Sequence, residues 1–353
     1  MNEHSRALIA EPFSAGGRLQ GAPTVLASLL DCVQQSVRER VGNMRRRGAL
    51  QAPAAACLLV SLLCFFTTSG ALADTHVNTE TKPASKIVSL APSNTELIYS
   101  IGAADKLVGD STFCDFPPAA EKLEKVGTFI SANLERLTRI KPDAVLVVSG
   151  QEQLSSMLSH NGFRVILYQN NKLPDISRNL RALGDLTGEQ KQANAEAQSF
   201  DDSLVKLRHI LAKSSKSPNV FYCVWPQPLL TAGKSSFLND CLTACSGTNI
   251  AGSLPAAYPQ FSTEKLVLSD PDIIFLPYEA QKQKFLSSNP WSSLRAVKSG
   301  KVFYLPPPKQ DFLARPTLRI IDGLYWLAQR LHPEAQKQLN AWHTEAIAGR
   351  QLQ

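Results

Sequence analysis

The chain contains the segment Asn133-Leu134-Glu135-Arg136-Leu137, and the same unit continues as Lys141-Pro142-Asp143-Ala144-Val145-Leu146. A unit built in the same way occurs 129 residues later and reads Ser262-Thr263-Glu264-Lys265-Leu266, then Asp270-Pro271-Asp272-Ile273-Ile274-Phe275. A glutamate, a basic residue, a leucine, a Pro-Asp pair and an apolar run recur at identical offsets. The repeat predicts one structural unit used twice, and therefore two similar lobes. Two lobes that each carry an acidic knob would suit a partner that is itself two-fold symmetric.

The residues around each unit alternate between strand and helix patterns. Asn133 is a candidate N-cap for a short helix that carries Glu135, and Pro142 closes that helix. The apolar run 144–148 has no polar alternation, as is typical of a strand buried on both faces of a parallel sheet. Further strands are predicted at 86–90, 106–109, 165–168, 220–224, 273–276 and 302–304, and further helices at 154–160 and 237–245. This alternation predicts an α/β fold with two Rossmann-like lobes built on parallel sheets.

A single long helix is predicted between the lobes. Residues 190–213 contain no glycine or proline, and apolar residues recur three or four positions apart along one stripe. These 24 residues would span about 36 Å. We therefore expect an N-terminal lobe over 86–185, a connecting helix and linker over 186–218, and a C-terminal lobe over 219–353. A ligand cleft is expected between the lobes.

The residues before the N-terminal lobe carry an export signal. Met44-Arg45-Arg46-Arg47 precedes a mostly apolar run at 54–66, and Ala71-Leu72-Ala73 matches a cleavage site. The apolar run is too short to span a membrane. We interpret 44–73 as a signal peptide and 74–85 as a polar leader. Because signal peptides begin near the true start of a protein, residues 1–43 are expected to be a start-site artefact, with a genuine extension as the alternative. The contexts of Cys57 and Cys64 do not favour a lipid anchor.

Charge and motif content exclude several classes of function. The chain has 37 basic and 30 acidic residues, of which seven basic and four acidic residues lie in 1–73. The remaining residues therefore include 30 basic and 26 acidic ones, a net charge of +4. This dispersed excess does not indicate nucleic-acid binding. Ala232-Gly233-Lys234-Ser235 lacks the earlier glycine of a phosphate loop, because Pro228 stands there. The histidines have no metal-ligand spacing. No nucleophile elbow or paired-carboxylate motif occurs. A catalytic group whose members are brought together only by folding is an alternative that sequence motifs do not test.

Four cysteines lie after the predicted cleavage site: Cys114, Cys223, Cys241 and Cys245. An exported chain is able to form disulfides. Cys241 and Cys245 are four residues apart on a predicted helix, which is unsuitable geometry for a disulfide. We therefore expect four unpaired, mostly buried thiols.

Several aromatic residues fall in predicted loops beside strand ends. They are Phe113, Phe116, Phe129, Trp225 and Tyr258. Core packing would explain any one of them. Their presence on both sides of one predicted cleft instead favours a large, flat or bulky ligand, since each aromatic side chain buries about 150–250 Å². Such a site would not need a metal ion.

The closest matches to a known family lie in 89–102, 111–118, 133–147 and 259–272. Over residues 86–330 the chain resembles the vitamin B12-binding subgroup of the helical-backbone substrate-binding proteins, a family that also takes ferric siderophores and haem. The resemblance implies two α/β lobes bridged by one helix. It also implies that Glu135 and Glu264 dock on arginines of a dimeric permease. The alternative is purely local, since a carboxylate is favoured in the first turn of any helix.

The resemblance also implies a set of ligand contacts. Phe113 stands in place of a family tyrosine, and Phe129 and Tyr258 stand in place of tryptophans that cup a corrinoid. Asp311 and Arg315 match a loop whose Asp and Arg touch the ligand; the alternative for them is a surface ion pair of little energetic weight. Cys245 matches one half of a family disulfide, but Ala328 occupies the partner position, so that bond cannot form.

Together these observations predict a periplasmic binding protein that captures cobalamin or a related corrinoid and delivers it to an inner-membrane ABC importer. It is expected to act as a monomer, without covalent chemistry, metal or cofactor. The predicted ligand contacts are Phe113, Phe129, Trp225, Tyr258, Asp311 and Arg315. A ferric siderophore or haem is the first alternative, ranked lower because only Arg315 and Arg319 lie near the predicted mouth and anionic chelates favour arginine-rich sites. An exported enzyme using the cleft is the second alternative. The long helix predicts small lobe movements.

Overall fold

A computed structural model describes residues 83–348, apart from 215, 279, 281–283 and 306–308. The predicted signal peptide, the segment 1–43 and the polar leader up to residue 82 lie outside the described residues. No helix in the described part of the chain is both long enough and apolar enough to cross a membrane.

The N-terminal lobe is a five-stranded parallel sheet in the order β3-β2-β1-β4-β5. Its strands are β1 (Ile87–Ser89), β2 (Leu107–Ser111), β3 (Lys125–Gly127), β4 (Ala144–Val148) and β5 (Val165–Tyr168). Its helices are α1 (Pro92–Ser100), α2 (Leu134–Ile140) and α3 (Glu152–His160). All five residues of β4 are buried, as the unbroken apolar run predicts. The sequence analysis did not predict β3, because this strand is only three residues long.

Two antiparallel helices connect the lobes. They are α4 (Leu173–Thr187) and α5 (Gln190–Leu211), and α5 is the predicted long helix, ending two residues early. Gly188 joins them with a positive φ of 83°, which glycine adopts without strain. At Gly184 a Cβ would lie 2.4 Å from the Cβ of Ala193, so this glycine allows the two helices to approach closely. The connection is therefore a tightly packed helical hairpin, of which the sequence predicted only the second helix.

The C-terminal lobe is built on a second sheet in the order β10-β9-β6-β7, with β8 pairing β6. Its strands are β6 (Asn219–Pro226), β7 (Leu229–Thr231), β8 (Thr248–Asn249), β9 (Ile273–Pro277) and β10 (Val302–Leu305). Its helices are α6 (Phe237–Ala244), α7 (Thr263–Ser269), α8 (Arg295–Lys298), α9 (Lys309–Ala314), α10 (Ile320–Leu331) and α11 (Gln336–Ile347). Most pairs are parallel as expected, but β7 runs antiparallel to β6. Only two residues separate β6 from β7, so the chain must turn back there.

One apolar cluster runs through both lobes and the helical hairpin. It includes Leu146 of β4, Phe200 of α5 and Phe275 of β9, all fully buried. The C-terminal helix α11 also packs against α5, where Trp342 Nε1 donates a hydrogen bond to the Ser203 carbonyl at 2.8 Å. Continuous burial along the hairpin makes the connection between the lobes stiff.

Candidate functional site

Three of the four predicted aromatic residues lie at the carboxyl ends of strands. Phe113 follows β2, Phe129 follows β3, and Trp225 is in the penultimate position of β6. The loop that carries Tyr258 is fixed against β7, where the Thr231 N–H donates to the Pro259 carbonyl at 3.1 Å. In open α/β sheets, ligands bind outside the carboxyl ends of the strands. Phe113, Phe129 and Trp225 thus lie at carboxyl edges of their sheets, whereas Tyr258 lies beside the antiparallel edge strand β7.

Exposure separates these aromatics into two groups. Phe113, Trp225 and Tyr258 are partly buried and pack against the shared core cluster. Phe129 is only 7% exposed and belongs to that cluster. Trp225 Nε1 donates to the Gln227 carbonyl at 2.8 Å, which fixes the indole ring. Burial raises the pKa of the Tyr258 hydroxyl to about 12, so this side chain is a neutral phenol.

Tyr278 is an aromatic residue that the sequence analysis did not single out. It follows directly on β9, at the same edge of the C-terminal sheet as Trp225, and is 40% exposed. Its position after a predicted strand is the same signal that identified Trp225. It therefore joins the aromatic residues at this edge.

The side chain of Gln151 fixes three chain segments at the edge of the N-terminal sheet. Its Nε2 donates to the carbonyls of Leu90 at 3.1 Å and Phe129 at 2.6 Å, while its Oε1 accepts from the Val148 N–H at 2.8 Å. A side-chain amide suits this position because it offers a donor and an acceptor together. Gln151 is buried and makes no local helical cap, so sequence patterns gave no indication of this role.

Five charged residues meet between the lobes in what we call the inter-lobe ion cluster. Its members are Glu96 and Asp115 of the N-terminal lobe and Asp311, Arg315 and Arg319 of the C-terminal lobe. Arg315 Nη1 lies 3.0 Å from Glu96 Oε1 and 2.5 Å from Asp115 Oδ1, and its Nη2 lies 3.1 Å from Asp115 Oδ2. Arg319 bonds both oxygens of Glu96, at 2.9 and 2.7 Å. The carboxyl edges of the two lobes therefore face each other across this cluster.

Burial decides the electrostatics of the inter-lobe ion cluster. Arg315 is 2% exposed, so the alternative of a surface ion pair with Asp311 is wrong, although the two groups do lie 3.6 Å apart. Burial alone would lower the pKa of Arg315, but its hydrogen bond to Asp115 and the charge of Glu96 raise it. Burial raises the pKa of Asp311 against the opposing effect of Arg315. Arg315 thus stays charged, and its charge is directed to carboxylates of the protein.

Arg319 makes a further contact across the lobes. Its guanidinium carbon lies 3.9 Å from the centre of the Phe116 ring and 5.3 Å from that of Phe312. Phe116 belongs to the loop after β2, so this cation–π contact also joins the two lobes. Both arginines that the sequence placed near the mouth of the cleft are therefore engaged by protein groups.

The two repeated units fold alike, as their sequences predict. The side chains of Asn133 and Ser262 cap α2 and α7 by accepting from the N–H three residues on, at 2.9 and 3.2 Å. Each helix has seven residues, and each ends in a left-handed residue, Lys141 with φ 53° and Asp270 with φ 35°. Glu135 and Glu264 occupy the first turn of their helices and are exposed.

The outer surfaces of these two helices differ beyond the glutamates. On α2 the positions after the buried leucine are Thr138 and Arg139, whereas the matching positions on α7 are Val267 and Leu268. Leu268 is 85% exposed. The backbone is thus repeated, while the chemistry of the outer face is polar in one lobe and apolar in the other.

The cysteine and metal predictions can be compared with the described residues. Cys114, Cys223, Cys241 and Cys245 are free and buried, which confirms the expectation. Burial raises the pKa of Cys114 to about 11, so this thiol is not a reactive thiolate at neutral pH. Within residues 83–348, as far as they are described, no group of three His, Cys, Asp or Glu side chains is placed to hold a metal ion.

Comparison with known proteins gives consistent results. A Vitamin B12-binding protein of Vibrio cholerae is 30% identical over 258 residues, which is 72% of this chain and 92% of that protein. An uncharacterized ABC transporter substrate-binding lipoprotein of Bacillus subtilis, YvrC, is 30% identical over 265 residues, 73% of this chain and 83% of that protein.

Solved structures show the same two-lobed fold. The crystal structure of the periplasmic Vitamin B12 binding protein BtuF of Vibrio cholerae superposes with a TM-score of 0.65 at 30% identity, covering 72% of this chain and 99% of that one. The periplasmic heme-binding protein BhuT has a TM-score of 0.62 at 19% identity, covering 71% and 98%, and shows likeness of fold alone. The family model described as "Periplasmic binding protein" matches residues 87–308. Since that match spans both lobes, the chain belongs to the periplasmic binding protein family.

Proposed function

We propose that this protein captures cobalamin or a related corrinoid in the periplasm and delivers it to an ABC importer of the inner membrane. The observation that carries the choice of ligand is the engagement of Arg315 and Arg319 by Glu96 and Asp115. Anionic chelates are held by arginines that are free to bind them. Arginines already paired with carboxylates favour a bulky ligand bound mainly by apolar and aromatic contact.

The aromatic residues at the carboxyl edges supply that contact. Phe113 would cover the ligand from the N-terminal lobe, and Trp225 and Tyr258 would cover it from the C-terminal lobe. Phe129, only 7% exposed, would support this surface from the core. Covering about 60 Å² of one ring contributes about 1.5 kcal/mol. Several such contacts are needed, because association itself costs roughly 4 kcal/mol or more.

Polar groups at the same edge would orient the ligand. Asp311 is partly exposed beside Arg315, and burial raises its pKa. A carboxyl group in this position suits the amide side chains of a corrinoid, to which it offers acceptor oxygens. Arg315 would act through Asp311 and Asp115, since its own guanidinium is almost fully covered.

Delivery would depend on Glu135 and Glu264. Both are exposed, both lie in the first turn of a capped seven-residue helix, and both belong to the repeated unit. A two-fold symmetric permease presents two equivalent surfaces, and a protein with one carboxylate on each lobe can engage both at once. Arginine side chains are the natural partners of such carboxylates.

A spectral titration of the purified protein with cyanocobalamin tests the proposal. We expect saturation with a Kd below about 10 μM. Parallel titrations with haem and with a ferric siderophore are the controls. Tight binding of either chelate, together with weaker binding of cyanocobalamin, would reverse the assignment. Release of a chemically altered ligand would instead indicate an enzyme.

A further inference from the structure

Glu96 is the member of the inter-lobe ion cluster that reaches both arginines. Its Oε1 lies 3.0 Å from Arg315 Nη1 and 2.7 Å from Arg319 Nη2, and its Oε2 lies 2.9 Å from Arg319 Nε. The two arginines are 219 and 223 residues further along the chain and belong to the opposite lobe. One carboxylate thus receives three hydrogen bonds across the junction between the lobes.

The other two acids of the cluster are placed differently from Glu96. The Asp115 side chain is 42% exposed, so solvent weakens its attraction for Arg315. Asp311 lies on the same lobe as Arg315, four residues before it, and therefore cannot join the lobes. Glu96 is buried, 6% exposed, where charge–charge attraction is stronger than in solvent.

The backbone that carries Glu96 is held rigidly by its neighbours. Asn94 Nδ2 donates to the Val147 carbonyl at 3.3 Å, which ties α1 to β4. Thr95 Oγ1 donates to Ser89 Oγ at 2.8 Å, which ties α1 to the end of β1. With its backbone fixed to two strands, Glu96 can transmit a constraint from the N-terminal sheet to the C-terminal lobe.

Stabilisation of one lobe alone does not account for these contacts. Each lobe has its own sheet and its own separate apolar cluster, one around Val88 and Val145 and the other around Phe221 and Ile274. The hydrogen bonds from the arginines to Glu96 run from one lobe to the other, and none of them joins two elements within one lobe. Their loss would therefore act first on the relative placement of the lobes.

We propose that Glu96 is a positioning residue that clamps the two lobes at a fixed separation before any ligand is bound. The clamp and the helical hairpin hold the junction at two places, so the width of the cleft is set in the empty protein. A second effect is that Glu96 holds Arg315 and Arg319 away from the ligand. The consequence for cargo rests on the proposed function, whereas the clamp itself does not.

The test measures the distance between the lobes in the ligand-free protein. Spin labels are placed at Glu121→Cys and Lys298→Cys, two exposed positions on opposite lobes, and the four cysteines among the described residues are buried. In Glu96→Gln we expect the mean distance from double electron–electron resonance to shift by about 2 Å or more, or the distribution to broaden clearly. A distribution identical to that of the parent would overturn the proposal.

Two controls separate positioning from general destabilisation. A label pair within the N-terminal lobe, Glu121→Cys with Gln153→Cys, should give the same distance with and without Glu96→Gln. Glu124→Gln, which removes an ion pair to Arg139 inside that lobe, should leave the inter-lobe distance unchanged. If Glu96→Gln fails to fold, the double variant Glu96→Gln with Arg319→Gln removes both charges of one pair and is measured in the same way. An unchanged distance in that folded double variant would equally refute the clamp.

A ligand measurement then links the clamp to the proposed function. Cyanocobalamin should dissociate about tenfold faster from Glu96→Gln than from the parent, because a looser cleft releases its ligand more readily. If the parent does not bind cyanocobalamin, the proposed function fails while the distance measurement still decides the clamp. If the distance changes but the dissociation rate does not, the clamp sets lobe placement without holding cargo, and the link to the ligand is refuted.

Discussion

The carboxylate of Asp143 accepts a hydrogen bond from the backbone N–H of Lys86 at 2.9 Å, which ties the residue before β4 to the residue before β1. The Lys86 carbonyl in turn accepts from the Asp143 N–H at 2.7 Å. In the second unit Asp272 and Asn219 exchange the same two bonds, at 2.9 and 2.8 Å. The aspartate of each Pro-Asp pair therefore aligns the two central strands of its sheet.

Replacing this aspartate should weaken either lobe in the same way. The backbone N–H groups of Ser85 and Lys86 lower the pKa of Asp143, so its stabilising contribution is present above the unfolded pKa and is lost as the pH falls through the lowered folded pKa. Asp143→Ala and Asp272→Ala should each lower Tm by about 2–4 °C at pH 7. Thermal unfolding measured by circular dichroism checks this. Equal Tm values for parent and variants would show that the strands align without these bonds.

Reversing the two exposed glutamates tests docking. Glu135→Arg combined with Glu264→Arg should leave the affinity for cyanocobalamin unchanged and abolish permease-dependent uptake, because like charges would then meet at both contacts. Labelled cobalamin uptake by intact cells is the measurement. The matched control, Glu121→Arg with Glu345→Arg, reverses exposed glutamates outside the repeated units and should support normal uptake. Loss of ligand binding in the first double variant would assign these residues to the pocket instead.

Truncating the edge aromatics tests the ligand site. Phe113→Ala and Tyr258→Ala should each weaken cyanocobalamin binding about tenfold, which corresponds to about 1.4 kcal/mol. Tyr278→Ala should have a similar effect, since this exposed ring lies at the same sheet edge. Titration calorimetry checks all three. Tyr325→Ala serves as the control, because that ring stacks on His343 between α10 and α11. If only the control variant loses affinity, the ligand lies elsewhere.

The buried carboxyl group of Asp110 predicts a pH dependence of stability. Burial raises its pKa to about 6, and a hydrogen bond from Lys125 at 2.8 Å opposes that rise. A raised folded pKa means that the stabilisation is complete below the unfolded pKa near 4 and is lost as the pH rises to about 6. The contribution is at most about 3 kcal/mol. In Asp110→Asn the free energy of unfolding should lack this decline between pH 4 and 6. Urea unfolding across that range provides the check, and a decline of equal size in the variant would exclude Asp110 as its source.

Local interactions explain which features could be predicted from sequence. The caps at Asn133 and Ser262 depend on residues three positions apart. The burial of Ala144–Val148 could be predicted because all five of its residues are apolar. Helix α4 was missed although it spans fifteen residues; Pro174 stands near its start and Gly184 interrupts its last part. Proline is favoured at the first turn of a helix, and Gly184 serves the close contact with α5.

The inter-lobe ion cluster lay beyond sequence reasoning for a different reason. Asp311 and Arg315 were singled out as a pair, but Glu96 lies 219 residues from Arg315 and had no motif of its own. Such a contact depends on how two separate sheets are placed relative to each other, which periodicity and spacing do not encode. The same holds for Gln151, whose partners come from three segments that are adjacent only in the folded lobe.

The close approach of α4 and α5 at Gly184 gives this architecture a means of adaptation at a distance. A single methyl group at that position would meet Ala193 and force the two helices apart, although it lies in the hairpin and outside the carboxyl edges of both sheets. Because α5 continues beyond this seam to pack against α11 of the C-terminal lobe, we expect mutations at the seam to shift one lobe relative to the other without altering any side chain at the sheet edges. Under the proposed function, natural variation in ligand selectivity should therefore be sought in this helical hairpin as well as at the carboxyl edges of the sheets.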